Sequence, residues 1–339
     1  MKDQRFFKAV LYCTLMVMVM LSVQVRAQPS SSRGRGLYGD WMVKVDYDGR
    51  QFESILSFSR DSEGNQTGNW ISFMGLSELK DIKYEEGKIS FSRESRNRDG
   101  ESTTSNFNGT IEDGTISGIW SSSRGENKLE GKRAPRIPRA AGNWELKYKI
   151  GDREITSTLV IKVDKESNLS GQWQSRRGES EVTDLQYERG KLTFKRTSTY
   201  QDSKREYTFE GTIQRDNTLS GMIKSERGEV TVEGKLVGAP IIGTWNLEVA
   251  SERGSRKQRL LVNPDMSGMY GAIPIKKINL EDGKVDFLTV LKFGDQSFEM
   301  RFEGKIEDTK LTGEITTSRG SQKITGTKVI RTFRRRNTG

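Results

Sequence analysis

From Trp144 the chain beats in twos: Trp144, Leu146, Tyr148 and Ile150 are apolar, while Glu145, Lys147 and Lys149 between them are charged. Successive side chains of a strand point to opposite faces, so this beat predicts a strand with one buried face and one wet face. The same beat runs through Trp41, Val43, Val45 and Tyr47, through Leu159, Ile161 and Val163, and through Phe298, Met300, Phe302 and Ile306. Clusters of Gly, Asp and Asn, as at Glu112 to Gly114 and at Asp216 and Asn217, separate the beats. They mark tight turns every ~10 to 13 residues, and no helical spacing competes with them. The pattern predicts an all-β chain.

A longer period lies over the short one. Gly39, Gly142 and Gly243 each stand two residues before a tryptophan, and those tryptophans, Trp41, Trp144 and Trp245, are 103 and 101 residues apart. Behind each follow the same landmarks in the same order. Trp70, Trp173 and Tyr270 stand two residues after a Ser/Thr-Gly pair, and Phe91, Phe194 and Phe287 stand four after a turn glycine. Phe107, Phe209 and Phe302 each precede a glycine two residues on, and the glycines Gly118, Gly221 and Gly313, then Gly131, Gly234 and Gly326, close the set. The repeat predicts three tandem modules, over 37–135, 141–240 and 241–330, of about eight short antiparallel strands each. Even spacing favours an up-and-down barrel over a two-sheet sandwich, because closure removes exposed strand edges. The glycine beyond each slot phenylalanine fits a wall that bends or admits a ring. Module 3 is trimmed: Tyr270 to Lys277 spans seven residues, against eleven from Trp70 to Asp81 and from Trp173 to Asp184. Pro135 and Pro138 predict an extended spacer from Arg133 to Arg139, its arginines free of partners, and Gly238 to Pro240 forms a shorter joint.

Composition changes the picture at the ends. A basic start, an apolar run of about 15 residues and the Val25 to Ala27 site read as a signal peptide over 1–27. The run is short of the ~20 residues of a membrane span, so no transmembrane segment is expected after cleavage, and the mature protein is expected to be secreted or periplasmic. Residues 28–36 and the basic tail 331–339 are expected to be disordered. The lone cysteine, Cys13, falls inside the signal, and the chain has no histidine. Thiol chemistry, Cys/His zinc sites and Ser-His-Asp catalysis are thereby excluded, and neither cofactor nor metal is expected. Net charge is +10, of which the signal's Lys2, Arg5, Lys8, Arg26 and Asp3 account for +3.

Candidate chemistry follows. Tryptophans held in fixed slots on the apolar phase (Trp41, Trp144, Trp245, Trp70, Trp173, with Tyr270) read as structural, in preference to a sugar platform. The acidic pairs Glu85 and Glu86, Glu112 and Asp113, and Glu281 and Asp282 suit a glycosidase in type, yet each precedes a turn glycine and points into water. Asp81 and Asp184 share a slot that holds Lys277 in module 3. Arg124, Arg227 and Arg319 occupy one turn of each module, and with Arg133, Arg136, Arg139, Arg334, Arg335 and Arg336 they could meet an anionic glycan or envelope surface. Nothing points to nucleic acid.

With the Gly-x-Trp start and the Ser/Thr-Gly-x-Trp/Tyr that follows, the first three strands of each module resemble the lipocalin and avidin group of eight-stranded barrels, and the whole repeat resembles tandem β-modules of secreted bacterial proteins. The resemblance implies a barrel that can hold a small apolar ligand. Avidins hold biotin through an asparagine two residues past the first tryptophan, where this chain has Val43, Leu146 and Leu247, so biotin is not implied. The resemblance also implies a last-strand cation over the first tryptophan, which points to Lys132 and Lys235, with Thr327 in module 3. The chain thus reads as an exported, non-enzymatic ligand- or surface-binding protein of the envelope, with a polysaccharide hydrolase or a pure spacer as the rival readings.

Overall fold

The computed structural model describes residues 36–330 apart from 48–49, 97–100, 165, 201–202, 252–253 and 294–295. The signal peptide and the basic tail with Arg334, Arg335 and Arg336 lie outside the described residues. Every regular element described is a strand. Barrel 1 closes through β1 (Gly39–Tyr47), β2 (Arg50–Arg60), β3 (Gln66–Ser72), β4 (Gly75–Glu85), β5 (Lys88–Arg96), β6 (Ser102–Glu112), β7 (Thr115–Ser122) and β8 (Gly125–Arg133), with β1 pairing β8. Barrel 2 repeats the plan with β9 (Gly142–Ile150), β10 (Arg153–Val163), β11 (Leu169–Ser175), β12 (Gly178–Glu188), β13 (Lys191–Tyr200), β14 (Ser203–Ile213), β15 (Thr218–Ser225) and β16 (Gly228–Leu236).

The third module is a nine-stranded antiparallel sheet: β17 (Gly243–Ser251), β18 (Gly254–Val262), β19 (Gly268–Tyr270), β20 (Ile273–Ile275), β21 (Ile278–Glu281), β22 (Lys284–Phe293), β23 (Gln296–Glu307), β24 (Lys310–Thr317) and β25 (Gly320–Lys328). The trimmed stretch explains the extra strand. Where barrels 1 and 2 have one long fourth strand, the third barrel has two short pieces, β20 and β21, which end the sheet on either side. Thr289 Oγ1 on β22 donates to Pro274 O on β20 across the resulting gap, at 2.7 Å.

Each interior is filled with buried apolar side chains. Trp41, Trp144 and Trp245 have no exposed surface, and their indole Nε1 atoms donate to Leu37 O, Ala140 O and Ile241 O, four residues back, at 2.9, 2.9 and 2.7 Å. A short segment before each first strand thus plugs one barrel end and satisfies the buried indole donor. At mid-height the cross-strand pairs Phe91/Phe107, Phe194/Phe209 and Phe287/Phe302 stack with centroids 4.9, 4.7 and 5.0 Å apart. The Phe107 ring lies over the paired glycines Gly109 and Gly118: a Cβ on either would fall 2.6 or 2.8 Å from the ring tip. The slot glycines therefore admit a ring.

Barrels 1 and 3 dock wall to wall. Ile55 and Ile71 point outward from barrel 1, paired with each other across β2 and β3, yet are 3% and 0% exposed and lie outside the barrel 1 core. Around them Arg259 of β18 places Nη2 2.8 Å from Asp40 Oδ2 and donates from Nη1 to Ser57 Oγ at 3.3 Å. Gln258 Nε2 donates to Ser72 O at 2.9 Å, and Arg256 Nη1 to Phe73 O and Met74 O at 3.1 and 3.0 Å. The tip of the β3–β4 hairpin so lies beside the stretch of β18 that short β19 leaves unpaired, and Phe73 packs on the barrel 3 core. Gly271 is required there: its φ is +61° and a Cβ would fall 2.6 Å from Ser72 O.

Candidate functional site

The plugged ends of barrels 1 and 3 carry the implied cation, one residue from where the resemblance put it. Register sets Arg133, Leu236 and Lys328 opposite Trp41, Trp144 and Trp245. Arg133 Cζ lies 4.3 Å from the Trp41 ring centroid and Lys328 Nζ 5.5 Å from that of Trp245. Lys132 and Lys235 are exposed on the outer phase and Thr327 likewise, so the assignment to them is corrected. Barrel 2 has an apolar Leu236 there instead. Desolvation holds the Lys328 ammonium below the usual lysine value, and its Nζ donates to Pro240 O at 2.7 Å.

The spacer is no free basic segment either. Arg133 belongs to β8 and donates to Tyr38 O at 2.6 Å and also to Gly36 O, while Arg139 donates to Gln214 O of barrel 2. The expectation that these arginines lack partners is corrected for both. Backbone carbonyls near the barrel bases, part-buried at Tyr38 and Gly36 and exposed at Gln214, take these charge-assisted donors. Arg136 is exposed.

The acidic residues belong to the backbone geometry. Glu86, Asp113 and Asp282 have φ of 48°, 47° and 47°, each followed by a glycine at positive φ, as a type I′ hairpin turn requires. Asp81 and Asp184, at φ 52° and 51°, sit where the β4–β5 and β12–β13 registers shift, so their shared slot is a β-bulge. Asp81 accepts from Ser92 Oγ at 2.7 Å, and Asp184 pairs with Lys195 at 2.8 Å.

At the unplugged end the strand tips present cations. Arg124, Arg227 and Arg319 lie in the last hairpin of each barrel, exposed, each backbone N–H bonded to the hydroxyl of Ser122, Ser225 or Thr317 at 3.1 to 3.3 Å. None of the three forms an ion pair among the described residues. Arg319 rests over Phe298, with Cζ 5.1 Å from the ring centroid. Arg176 and Arg177 join Arg227 at this end of barrel 2, in the hairpin that carries Phe73 and Met74 in barrel 1.

Just inside this end lies a feature that the sequence reading missed. The inward slot two residues past Phe91, Phe194 and Phe287 holds Arg93, Arg196 and Thr289. Arg93 Nε donates to Ser77 Oγ at 2.8 Å, with its guanidinium 5.0 Å from the Trp70 ring. Arg196 lies 4.6 Å from Trp173 on one side and 4.6 Å from Tyr207 on the other. Its Nε is enclosed without an acceptor, and so is Trp173 Nε1. Burial draws the Arg196 guanidinium below the usual arginine value, a pull that Tyr148 and Tyr207 oppose. Tyr148 shares a hydrogen bond with Ser157 at 3.1 Å. In barrel 3 Tyr270 replaces the tryptophan; its hydroxyl is also unpartnered, and burial raises its pKa. A Phe-x-Arg signal repeated in two of three modules was there to be read.

On the outside, Glu145, Lys147, Thr156, Thr158, Gln174 and Arg176 line a shallow open concavity over β9 to β11 of barrel 2. It is the wall that corresponds to the docked wall of barrel 1.

Fold and site together define the class: a tandem array of small, filled, antiparallel β-barrels with cationic tips. No protein-family model matches the chain, and no curated protein matches it. It is similar to a candidate outer membrane protein from Bacteroides fragilis, at 12% identity over 58% of this chain and 96% of that one, with a TM-score of 0.23. It is also similar to a protein of unknown function of the DUF3598 family from Nostoc punctiforme, at 11% identity over 86% of this chain and 96% of that one, TM-score 0.20. A third is the isotype 1 transferrin binding protein B of Neisseria meningitidis, at 12% identity over 85% of this chain and 65% of that one, TM-score 0.18. Overlaps this slight carry no functional argument, which rests on the residues themselves.

Proposed function

We propose that the chain is an exported, non-enzymatic binding protein of the cell envelope that holds an anionic polymer or surface at the unplugged ends of its barrels. The observation that carries this reading is the placing of Arg124, Arg227 and Arg319: exposed, on the same end of their own barrels, and without ion pairs among the described residues. Barrel 2 adds Arg176. Exposed cations outside ion pairs attract anions over about one Debye length, roughly 8 to 10 Å at ordinary salt. Binding by them is therefore weak singly and additive along a polymer. The hydrolase reading has less behind it, since the acidic pairs belong to turns, and aromatic rings fill the interiors. A likeness to lipocalin or avidin barrels draws support from the cation over the first tryptophan in barrels 1 and 3. The test is elution from an acidic polysaccharide matrix in a salt gradient. Changing Arg124, Arg176, Arg227 and Arg319 together to Gln should move elution to clearly lower salt, and an unchanged elution point would sink the reading.

A further inference from the structure

We infer that the unplugged end of barrel 2 contains a discrete site for a single oxyanion, a carboxylate or sulfate group borne by a larger molecule, held by Arg196 and Trp173. The reasoning starts from hydrogen-bond accounting. Buried donors in folded proteins find acceptors, and a buried cation normally finds an anion. Arg196 Nε and Trp173 Nε1 break both habits, on side chains whose guanidinium and ring lie 4.6 Å apart. No ion pair of Arg196 occurs among the described residues; the cation is held between two aromatic faces and by hydrogen bonds to Tyr148 and Tyr207 instead. Aromatic faces stabilise a guanidinium without consuming its N–H groups, which lie in the guanidinium's own plane; the Tyr148 and Tyr207 side chains engage the group as well, and Nε is the donor left for an acceptor. An oxyanion there would meet Nε together with the indole N–H, one charge-assisted hydrogen bond and one neutral one.

The sister barrels show what a settled version looks like. In barrel 1 Ser77 takes the Nε proton of Arg93, and in barrel 3 the slot is Thr289, neutral and bonded to Pro274 O. Barrel 2 has a serine at the place of Ser77, Ser180, opposite Trp173 as Ser77 is opposite Trp70, yet Arg196 leaves it for the two rings. The inward neighbours along the strands are Tyr148, Ser157, Ser198, Arg205 and Tyr207, with no carboxylate among them to neutralise the charge.

This inference rests on the anion-binding reading only for the kind of molecule that bears the group. The test therefore uses small anions, too short to bridge the tips. Sodium glucuronate and sodium sulfate are titrated into the full secreted chain at constant ionic strength, with glucose as the neutral control, and binding is followed by tryptophan fluorescence and calorimetry. The expected result is saturable binding of at least one anion, none of glucose, and at least tenfold weaker binding by Arg196→Gln. Binding of glucuronate alone assigns the group as a carboxylate, and of sulfate alone as a tetrahedral oxyanion. Arg93→Gln in barrel 1 should bind like the wild type. Should Arg196→Gln fail to fold, Arg196→Lys keeps the cation and removes Nε, and at least a threefold loss is expected. No saturable binding of either anion, or undiminished affinity in the folded Arg196 variant, overturns the proposal. The variant lacking the four tip arginines keeps its affinity for the small anion if this site is real, so loss of polymer retention and loss of this site are told apart.

Discussion

On the outer wall of barrel 1, Ile55 and Ile71 face each other across β2 and β3; at the matching places on barrel 2, Thr158 and Gln174 face each other across β10 and β11. Backbone register is the same in both. The isoleucines are buried against barrel 3, whereas the polar pair borders an open concavity. Two positions on the wet phase of a strand therefore separate a wall that docks from a wall that stays free. Burying an isoleucine stabilises by about 1.5 to 3 kcal/mol, so a pair of them outweighs the ordering of a few surface side chains. The hairpin tips follow the same division: Phe73 and Met74 in barrel 1 reach onto barrel 3, and Arg176 and Arg177 in barrel 2 stand exposed.

The comparison can be broken most severely from inside. Trp144→Ala should cost about 3 to 5 kcal/mol by emptying the plugged end of barrel 2. Calorimetry should then show an early transition for barrel 2, with barrels 1 and 3 melting together near the wild-type temperature; a single shifted transition would mean that barrel 2 is coupled to the docked pair.

Exchanging the walls sharpens the comparison further. Ile55→Thr with Ile71→Gln gives barrel 1 the wall of barrel 2 and should weaken docking by about 2 to 5 kcal/mol. Limited proteolysis should then free the third barrel. The reverse exchange, Thr158→Ile with Gln174→Ile, should make the chain associate with itself in sedimentation runs at rising concentration.

A smaller effect is expected at the ion pair on the docked wall. Arg259→Ala leaves Asp40, 24% exposed at its side chain, beside an uncharged neighbour and should destabilise docking by about 1 to 3 kcal/mol. Raised salt should mimic little of this loss, because the arginine is only 8% exposed. The smallest effect belongs to an exposed pair elsewhere on barrel 2: Lys195→Gln removes the pair with Asp184, whose partners are 62% and 61% exposed, and should leave the melting temperature unchanged.

Much of this was legible in the residues. The alternation of Trp144, Leu146 and Tyr148 marked the inner face, and the turn glycines marked the hairpins. The same alternation could have placed the cation correctly: Leu129, Gly131 and Arg133 share one phase and Lys132 the other. The free basic spacer was misread because prolines report local stiffness, while the carbonyls that Arg133 and Arg139 serve lie 95 and 75 residues away. Arg196 was passed over because one arginine on an apolar phase looks the same whether or not its donors are met.

What the sequence by itself determined is the part governed by period two: strand phase, turn positions, the filled interiors and the threefold plan, all of which depend on near neighbours. Tertiary structure alone decided which outward isoleucines are covered, that the trimmed hairpin of barrel 3 leaves β18 open to the tip of barrel 1, and that two buried donors in barrel 2 lack acceptors. Those outcomes depend on groups far apart in the chain meeting in space, and no local pattern carries the distance between them.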